Sequence, residues 1–165
     1  MFIDVSDILQ LNGLSKKVDV SIPAEECGIE SLDCVFENPP AIFVELTNIN
    51  GLIRAKGTVQ AEYTTYCARC LKPLSMVVSK RFDEEFAGLD SLEESQDVYQ
   101  FSDKAVNIGE VVRDVILLEI PIRHLCSEGC KSLCPGCGKD LNKEDCTCEQ
   151  TTYNAQFEVL KDFFQ

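Results

Sequence analysis

Residues 42–66 read IFVELTNINGLIRAKGTVQAEYTTY, and this stretch decides the fold. In its second half, apolar residues recur at alternate positions, namely Ile53, Ala55, Val59, Ala61 and Tyr63. Polar and charged residues fill the positions between them, which is the period of a β-strand with one buried side and one solvent-facing side. The Asn50-Gly51 dipeptide suits a type I′ turn. The sequence therefore predicts an antiparallel hairpin centred on this dipeptide.

Segments on both sides of the hairpin show the same alternation. Residues 17–22 place Val18, Val20 and Ile22 on one side, and Pro23 ends the segment. After the hairpin and a Cys-x-x-Cys turn, a third strand is indicated by the spacing of Leu74, Met76, Val78, Phe82 and Phe86. Spacings of two and four residues put these side chains on one buried face. We expect a three-stranded meander here, with one more strand at residues 17–22.

A helix is predicted between Asn107 and Pro121. Asn107 and Glu110 resemble a capping box, and the apolar residues that follow have helical spacing: Ile108, Val111, Val112, Val115 and Leu118. The many β-branched residues would also suit a strand, so that alternative stays open. A second, short amphipathic helix is predicted at the end of the chain from Tyr153, Phe157, Leu160 and Phe164.

These elements predict an α+β fold, with a mainly antiparallel β-sheet meander, a packing helix, and a C-terminal zinc-knuckle module with a short helix. We divide the chain at Pro121 into two domains. Residues 1–120 form a β-rich body that contains the basic hairpin and the packing helix. Residues 121–165 form the cysteine-rich module and the terminal helix.

The ten cysteines of this 165-residue chain are the main chemical signal. The chain begins without a basic and apolar export signal, and no apolar run approaches the ~18 residues of a membrane-spanning helix. We therefore expect a cytoplasmic protein that does not enter a membrane. Disulfide scaffolds belong to small exported domains, so reduced thiols that bind metal are the better interpretation.

Eight of the cysteines form four closely spaced pairs. Zinc prefers four thiolate or imidazole ligands in a tetrahedron, and a Cys-x-x-Cys turn can bring two sulfurs to one ion. We predict two Zn²⁺ sites. One ion is assigned to Cys134, Cys137, Cys146 and Cys148, because Pro135, Gly136 and Gly138 suit a tight knuckle turn. The other ion is assigned to Cys67, Cys70, Cys126 and Cys130.

Other interpretations of the thiols are weaker. Some pairs could be reduced cysteines without metal, and His124 could replace one ligand, although a lone histidine more often makes ordinary hydrogen bonds. Cys27 and Cys34 stand apart, and we interpret them as structural. A thioredoxin-type centre lies at a helix N-terminus after a strand, whereas Cys67 and Cys70 separate two strands. The sequence shows no phosphate-binding loop, no HExxH motif and no nucleophile with a partner base, so we do not expect an enzyme or a small-molecule substrate.

Charge is distributed unevenly along the chain. The net charge is −13, which argues against broad electrostatic binding of nucleic acid. Residues 51–82 nevertheless contain one acidic residue, Glu62, and six basic residues: Arg54, Lys56, Arg69, Lys72, Lys80 and Arg81. These six are candidate RNA-binding residues, with Tyr63 and Tyr66 available for stacking. Equally, they could pair with an acidic loop that contains Asp90, Glu93, Glu94 and Asp97.

The order of these motifs resembles the YceD family, named as the large ribosomal RNA subunit accumulation protein. The resemblance rests on YCARCLKPL at 66–74, LLEIPIRHLC at 117–126 and CKSLCPGCGKDLN at 130–142. It implies a non-enzymatic bacterial role in accumulation of large-subunit ribosomal RNA, in processing or assembly. It supports Cys67 and Cys70 better than the distal cysteines, which vary among relatives.

We therefore expect a zinc-stabilised ribosome-biogenesis factor whose partner is large-subunit ribosomal RNA or the pre-ribosome, with a ribosomal protein as a further partner. Two alternatives remain from the residues alone. One is a zinc-stabilised adaptor whose acidic surface binds a basic ribosomal protein. The other is a thiol redox or metal-delivery protein.

Overall fold

The computed structural model describes residues 1–29, 34–89 and 98–148. Within them the chain forms seven strands and two helices. The strands are β1 (Phe2–Asp4), β2 (Ser15–Ser21), β3 (Ala41–Ile49), β4 (Leu52–Tyr66), β5 (Pro73–Gly88), β6 (Tyr99–Phe101) and β7 (Ala105–Asn107). The helices are α1 (Ala24–Cys27) and α2 (Ile108–Glu119). The predicted α+β class and the mainly antiparallel sheet are confirmed.

The hairpin of β3 and β4 is the centre of a five-stranded sheet with the order β2-β3-β4-β5-β6. Its two-residue turn has positive φ angles, 53° at Asn50 and 93° at Gly51, which a type I′ turn requires. The pairing places Ile49 opposite Leu52 and Val44 opposite Gly57. Because the alternation of β4 is kept along the strand, its apolar side is buried as predicted.

The sheet is mixed at one edge. β6 pairs with β5 in parallel, and β1 pairs with β7 in a separate two-stranded sheet. The sequence indicated neither pairing. The buried side of β5 is marked by Val78, Phe82 and Phe86, with Leu74 and Met76 partly covered, as the sequence predicted. Asp90, Glu93, Glu94 and Asp97 of the acidic loop, and the predicted terminal helix, lie outside the described residues.

Helix α2 packs against β5 and joins the hydrophobic core, and it ends before Pro121, as predicted. Its buried residues are Ile108, Gly109, Val111, Val112 and Ile116. Leu118 shares the helical spacing of the apolar residues but is 87% exposed. The capping box is also incomplete: the Asn107 amide donates to the Glu110 carboxylate at 3.0 Å and not to a backbone group. Neither helix of the described residues has the length and apolar character needed to cross a bilayer.

Asn48 connects the start of the chain to the hairpin from within the core. Its side-chain amide donates to the carbonyls of Ile8, Leu9 and Leu11 at 3.0–3.3 Å. Its carbonyl oxygen accepts from the Gly51 N–H at 2.9 Å. The side chain is only 3% exposed, so these bonds replace water around a buried polar group.

The chain divides into two compact units. The first contains residues 1–65 and 73–122, and the second contains residues 66–72 and 123–165. The second unit therefore includes the Cys-x-x-Cys turn that follows β4. Whether residues 121–165 fold as a domain separate from residues 1–120 stays a prediction.

Candidate metal centres

The Cys-x-x-Cys turn at Cys67 is closed by two backbone hydrogen bonds. The Cys67 N–H donates to the Lys72 carbonyl at 2.8 Å, and the Leu71 N–H donates to the Cys67 carbonyl at 2.9 Å. Leu71, directly after the second cysteine, has a φ of 56°. This left-handed residue reverses the chain, so that both sulfurs point to the same side of the turn.

The turn at Cys134 repeats this arrangement. The Cys134 N–H donates to the Lys139 carbonyl at 2.8 Å, and the Gly138 N–H donates to the Cys134 carbonyl at 2.8 Å. Gly138 has a φ of 74° and occupies the position that Leu71 occupies in the first turn. The two turns are therefore two copies of one local structure, although only the second contains glycine at the left-handed position.

We call the sulfurs of Cys67, Cys70, Cys126 and Cys130 cluster 1. All four lie within 4.8 Å of one another. The Cys67 and Cys130 sulfurs are 3.9 Å apart, and the Cys70 and Cys126 sulfurs are 3.6 Å apart. Cys126 is partly exposed and the other three residues are buried. The structure thus joins the two pairs that the sequence assigned to one ion.

Hydrogen bonds hold the distant pair of cluster 1 against the Cys-x-x-Cys turn. The Ala68 N–H donates to the His124 carbonyl at 2.8 Å, and the Cys126 N–H approaches the Cys67 sulfur at 3.4 Å. The Arg69 guanidinium donates to the Cys130 carbonyl at 2.8 Å. The position of these sulfurs is therefore set by backbone geometry as well as by the sulfurs themselves.

We call the sulfurs of Cys134, Cys137, Cys146 and Cys148 cluster 2. These four also lie within 4.8 Å of one another, and the Cys134 and Cys146 sulfurs are 3.3 Å apart. Cys134 is buried, Cys146 is partly exposed, and Cys137 and Cys148 are exposed. Cluster 2 is therefore more open to solvent than cluster 1.

In each cluster, the pKa of one thiol is strongly lowered and that of another is strongly raised. Hydrogen bonding from the Cys70 N–H is the largest influence that lowers the pKa of Cys67 to about 6, and the Cys137 N–H acts in the same way on Cys134, whose pKa is also about 6. For Cys70, the Lys72 N–H lowers the pKa, but burial and the neighbouring sulfurs outweigh it and raise the pKa to about 12. Four thiolates in one place repel one another, which opposes ionisation of all four thiols. A bound cation would offset this repulsion.

The geometry fits a tetrahedral ion with four sulfur ligands. Zinc–sulfur bonds of about 2.3 Å would place the sulfurs about 3.8 Å from one another, close to the 3.6 and 3.9 Å in cluster 1. Disulfide bonds of about 2.05 Å are not present: all ten cysteines lie in the described part of the chain, and none of them is bridged. Both clusters could hold metal ions.

Three of the six candidate RNA-binding residues, all in the first unit, are paired with carboxylates. Arg54 binds Asp83 through two contacts of 2.7 and 2.9 Å, and Lys56 reaches the same carboxylate at 3.1 Å. The guanidinium of Arg54 is the main cause that lowers the pKa of Asp83 to about 2. Lys80 pairs with Glu119 at 2.9 Å. Asp83 lies one residue beyond the segment 51–82, so the charge of that segment alone overstated the basic surface.

Three of the six basic residues have no ion-pair partner in the described residues. These are Arg69 and Lys72, in the second unit, and Arg81, on strand β5 of the first unit. Arg69 is engaged with the backbone of cluster 1. Among the stacking candidates, Tyr63 is buried and Tyr66 is 65% exposed. RNA binding by this set stays a prediction.

His124 and the two separate cysteines do not contribute to either cluster. His124 contributes its backbone carbonyl to the first turn, and both clusters have four sulfurs without it. Cys27 is buried in α1, where burial raises the pKa of its thiol, and Cys34 is partly exposed. Sequence reasoning missed Asn142, which lies in the loop between the pairs of cluster 2 and touches a cluster 1 sulfur. Its place in CGKDLN at 137–142 gave no signal of that contact.

Comparison with known proteins agrees with the motifs. Residues 55–164 match the family model described as large ribosomal RNA subunit accumulation protein YceD. A chloroplastic YCED homolog 1 of Zea mays, named large ribosomal RNA subunit accumulation protein, is 27% identical over 143 residues, which cover 67% of this chain and 49% of that protein.

An uncharacterized protein of Mycobacterium tuberculosis is 34% identical over 92 residues, which cover 53% of this chain and 44% of that protein. The chain thus spans about half the length of the curated relatives it matches. No solved structure matches the chain. Because the family model matches well over half of the chain, this protein belongs to the YceD family, the large ribosomal RNA subunit accumulation proteins.

Proposed function

We propose that this protein is a non-enzymatic ribosome-biogenesis factor of the bacterial cytoplasm, which supports accumulation of large-subunit ribosomal RNA and is stabilised by two structural zinc ions. Family membership supports the process. The observation that carries the zinc proposal is the presence of two separate groups of four sulfurs, each within 4.8 Å.

A structural role for the metal follows from the ligand number. Structural zinc sites have four protein ligands, whereas catalytic sites keep one position for water or substrate. Each cluster supplies four cysteine sulfurs, so no position would be left for chemistry on the ion. Because the ligands come together only in the folded chain, the free energy of metal binding would add to the stability of the second unit.

RNA is the first candidate partner. The ion pairs of Arg54, Lys56 and Lys80 do not prevent phosphate binding, because exposed pairs contribute only ~0–1 kcal/mol and can exchange partners. Lys72 and Arg81 are exposed and can meet a phosphate without breaking an ion pair. Replacing both by glutamine should lower the slope of log K against log salt by roughly 1.4–1.8 if both contact phosphates.

A basic ribosomal protein is the second candidate partner, and the carboxylate of Asp83 is the observation that favours it. The Asp83 carboxylate pairs with Arg54 and Lys56 and so partly neutralises the positive charge of these two side chains on β4. The whole chain carries a net charge of −13, which would attract a basic protein and repel RNA.

The low pKa of the Cys67 thiol would also suit thiol exchange, so redox chemistry needs its own test. Two features favour metal instead. Four sulfurs surround the site where a redox pair needs two, and the turn lies between two strands rather than at a helix N-terminus. A redox protein would form a reversible Cys67–Cys70 disulfide in a glutathione buffer, whereas the zinc-loaded protein should keep all eight thiols reduced.

The variant Asp83→Asn separates the two partners, because it releases Arg54 and Lys56 and removes one negative charge. If RNA is the partner, Asp83→Asn should bind large-subunit ribosomal RNA fragments more tightly than the wild type and with a steeper salt dependence. If a basic ribosomal protein is the partner, Asp83→Asn should bind that protein more weakly than the wild type does. Asp19→Asn is the matched control, since Asp19 is exposed on β2, changes the net charge equally, and has no ion pair among the described residues.

If neither RNA nor basic ribosomal proteins bind the wild-type chain at low salt, while zinc is present, the proposed partners are wrong. Equal effects of Asp83→Asn and Asp19→Asn would show that only net charge matters. In that case the surface formed by Arg54, Lys56 and Asp83 would not be the binding surface.

A further inference from the structure

Asn142 links the two clusters through its side chain. It lies between Cys137 and Cys146, so it belongs to the loop that the ligands of cluster 2 would close. Its side-chain amide nevertheless donates to the sulfur of Cys130, a member of cluster 1, at 3.5 Å.

The orientation of this amide is fixed by its other partners. The Asn142 oxygen accepts from the Lys131 N–H at 2.7 Å, and one amide hydrogen goes to the Asp140 carboxylate at 2.7 Å. A flipped amide would place its NH₂ against the Lys131 N–H and its oxygen against the carboxylate, so it would lose both bonds. The second amide hydrogen is therefore directed at the Cys130 sulfur.

The loop that carries Asn142 has its own anchors beside cluster 1. The Leu141 N–H donates to the Ser132 carbonyl at 3.1 Å, and Leu133 and Asp140 form an isolated antiparallel β-bridge. Backbone bonds thus place the loop near Cys130, but its two ends, Cys137 and Cys146, belong to cluster 2. An ion in cluster 2 would fix both ends and reduce the freedom of Asn142.

We propose that Asn142 is a positioning residue that couples the two metal clusters, so that an ion in cluster 2 strengthens binding in cluster 1 by holding the amide against the Cys130 thiolate. This inference rests on the proposal that both clusters bind metal. Partners that hydrogen-bond to metal ligands typically change metal affinity by about 10–100-fold. Because coupling between binding sites is reciprocal, an ion in cluster 1 strengthens cluster 2 by the same factor.

The coupling is measurable as a ratio of binding constants. Zinc binding to the full chain is titrated against a chelator of known affinity, with Co²⁺ spectra to report sulfur ligation. The wild type gives the constant for loading both ions. Cys137→Ser with Cys148→Ser leaves cluster 1 alone, and Cys70→Ser with Cys126→Ser leaves cluster 2 alone. We expect the two-ion constant to exceed the product of the single-site constants about 10–100-fold.

The same measurements in an Asn142→Ala background should reduce the ratio to near one. Asn142→Asp keeps the oxygen that accepts from Lys131 but removes the donor to sulfur, so it should also lose the coupling. Glu144→Gln is the matched control, because the Glu144 side chain is 62% exposed and pairs with Lys139, so the variant should keep the wild-type ratio. A ratio that survives in either Asn142 variant would overturn the proposal.

A second measurement changes and labels only cysteines that solvent can reach. Cys148→Ser weakens cluster 2 at an exposed ligand, and alkylation of Cys126, the partly exposed member of cluster 1, at limiting zinc then reports the loss of metal from cluster 1. We expect about tenfold faster alkylation than in the wild type, and no further effect of Cys148→Ser in the Asn142→Ala chain. An equal effect of Cys148→Ser in both backgrounds would contradict the coupling. Absence of any metal from the wild type would instead disprove the proposed function.

Discussion

Leu71 and Gly138 occupy the same left-handed position in the two Cys-x-x-Cys turns, with φ angles of 56° and 74°. A residue with a Cβ loses about 1–2 kcal/mol in this conformation, whereas glycine adopts it readily. Leu71 is 63% exposed, so little packing offsets the cost. Leu71→Gly should therefore raise the free energy of unfolding of the zinc-loaded chain, after the entropy cost of glycine, by about 0.5–1 kcal/mol.

The reciprocal variant, Gly138→Leu, should lower the free energy of unfolding by about 1–2 kcal/mol. Urea unfolding of the two variants beside the wild type checks both signs. If Leu71→Gly destabilises the chain by more than 1 kcal/mol, the Leu71 side chain must contribute to stability through contacts that its exposure does not indicate.

Gly57 lies in the interior of β4, where the ring of Phe82 covers it. A Cβ built on Gly57 would overlap the Phe43 carbonyl oxygen and lie 2.6 Å from the Phe82 ring. Gly57→Ala should cost about 3 kcal/mol, because the backbone oxygen cannot move aside as a flexible side chain could. Gly129→Ala is the control, since a Cβ there has no atom within 4 Å. Near-equal melting temperatures for the two variants would contradict the packing at β4.

At the scale of single elements, the hairpin, the length of α2 and the four cysteine pairs were predictable, because each depends on residues close in sequence. Asn50-Gly51 sets its turn, Pro121 ends α2, and spacing brings two thiols together within each turn. Contacts between distant residues were not predictable. Asp83 was missed as the partner of Arg54, and Asn142 was missed as the donor to Cys130. The two residues of each pair are 29 and 12 positions apart, and no strand or helix repeat in the sequence relates positions at those distances.

The two Cys-x-x-Cys turns predict the pH dependence of the metal-free protein. Cys67 and Cys134 have pKa values of about 6 against an ordinary value of 9.0, because backbone N–H groups stabilise their thiolates. A lowered pKa in the folded state stabilises the fold fully above pH 9, and this stabilisation is lost as the pH falls through 6. Thiolate absorbance of the metal-free chain should accordingly show two groups that titrate near pH 6.

The same titration has a consequence for the metal. Protons compete with zinc for thiolates, so zinc affinity should fall steeply as the pH is lowered below about 6. Cys67→Ser should remove one of the two low titrations and leave the other. If no thiolate absorbance develops below pH 8, the turns do not stabilise their first cysteines as the hydrogen bonds indicate.

At the scale of the whole molecule, metal should stabilise the second unit more than the first. That unit joins residues 66–72 to the chain after residue 122, and both clusters lie within it. Removal of zinc by a chelator should increase hydrogen exchange in residues 66–72 and 123–148, while the buried positions of β3 and of β4 up to Thr65 stay protected. Equal loss of protection in both units would show that the chain unfolds as one cooperative body.

The metal content of the native protein tests the central claim most directly. Native mass spectrometry, with elemental analysis of protein purified without chelator, should find two Zn²⁺ per chain and all ten thiols reduced, because two tetrahedral sets of four sulfurs are present. Cys137→Ser with Cys148→Ser should leave one ion. A wild-type chain with no metal, or with disulfides among these eight cysteines, would contradict the account.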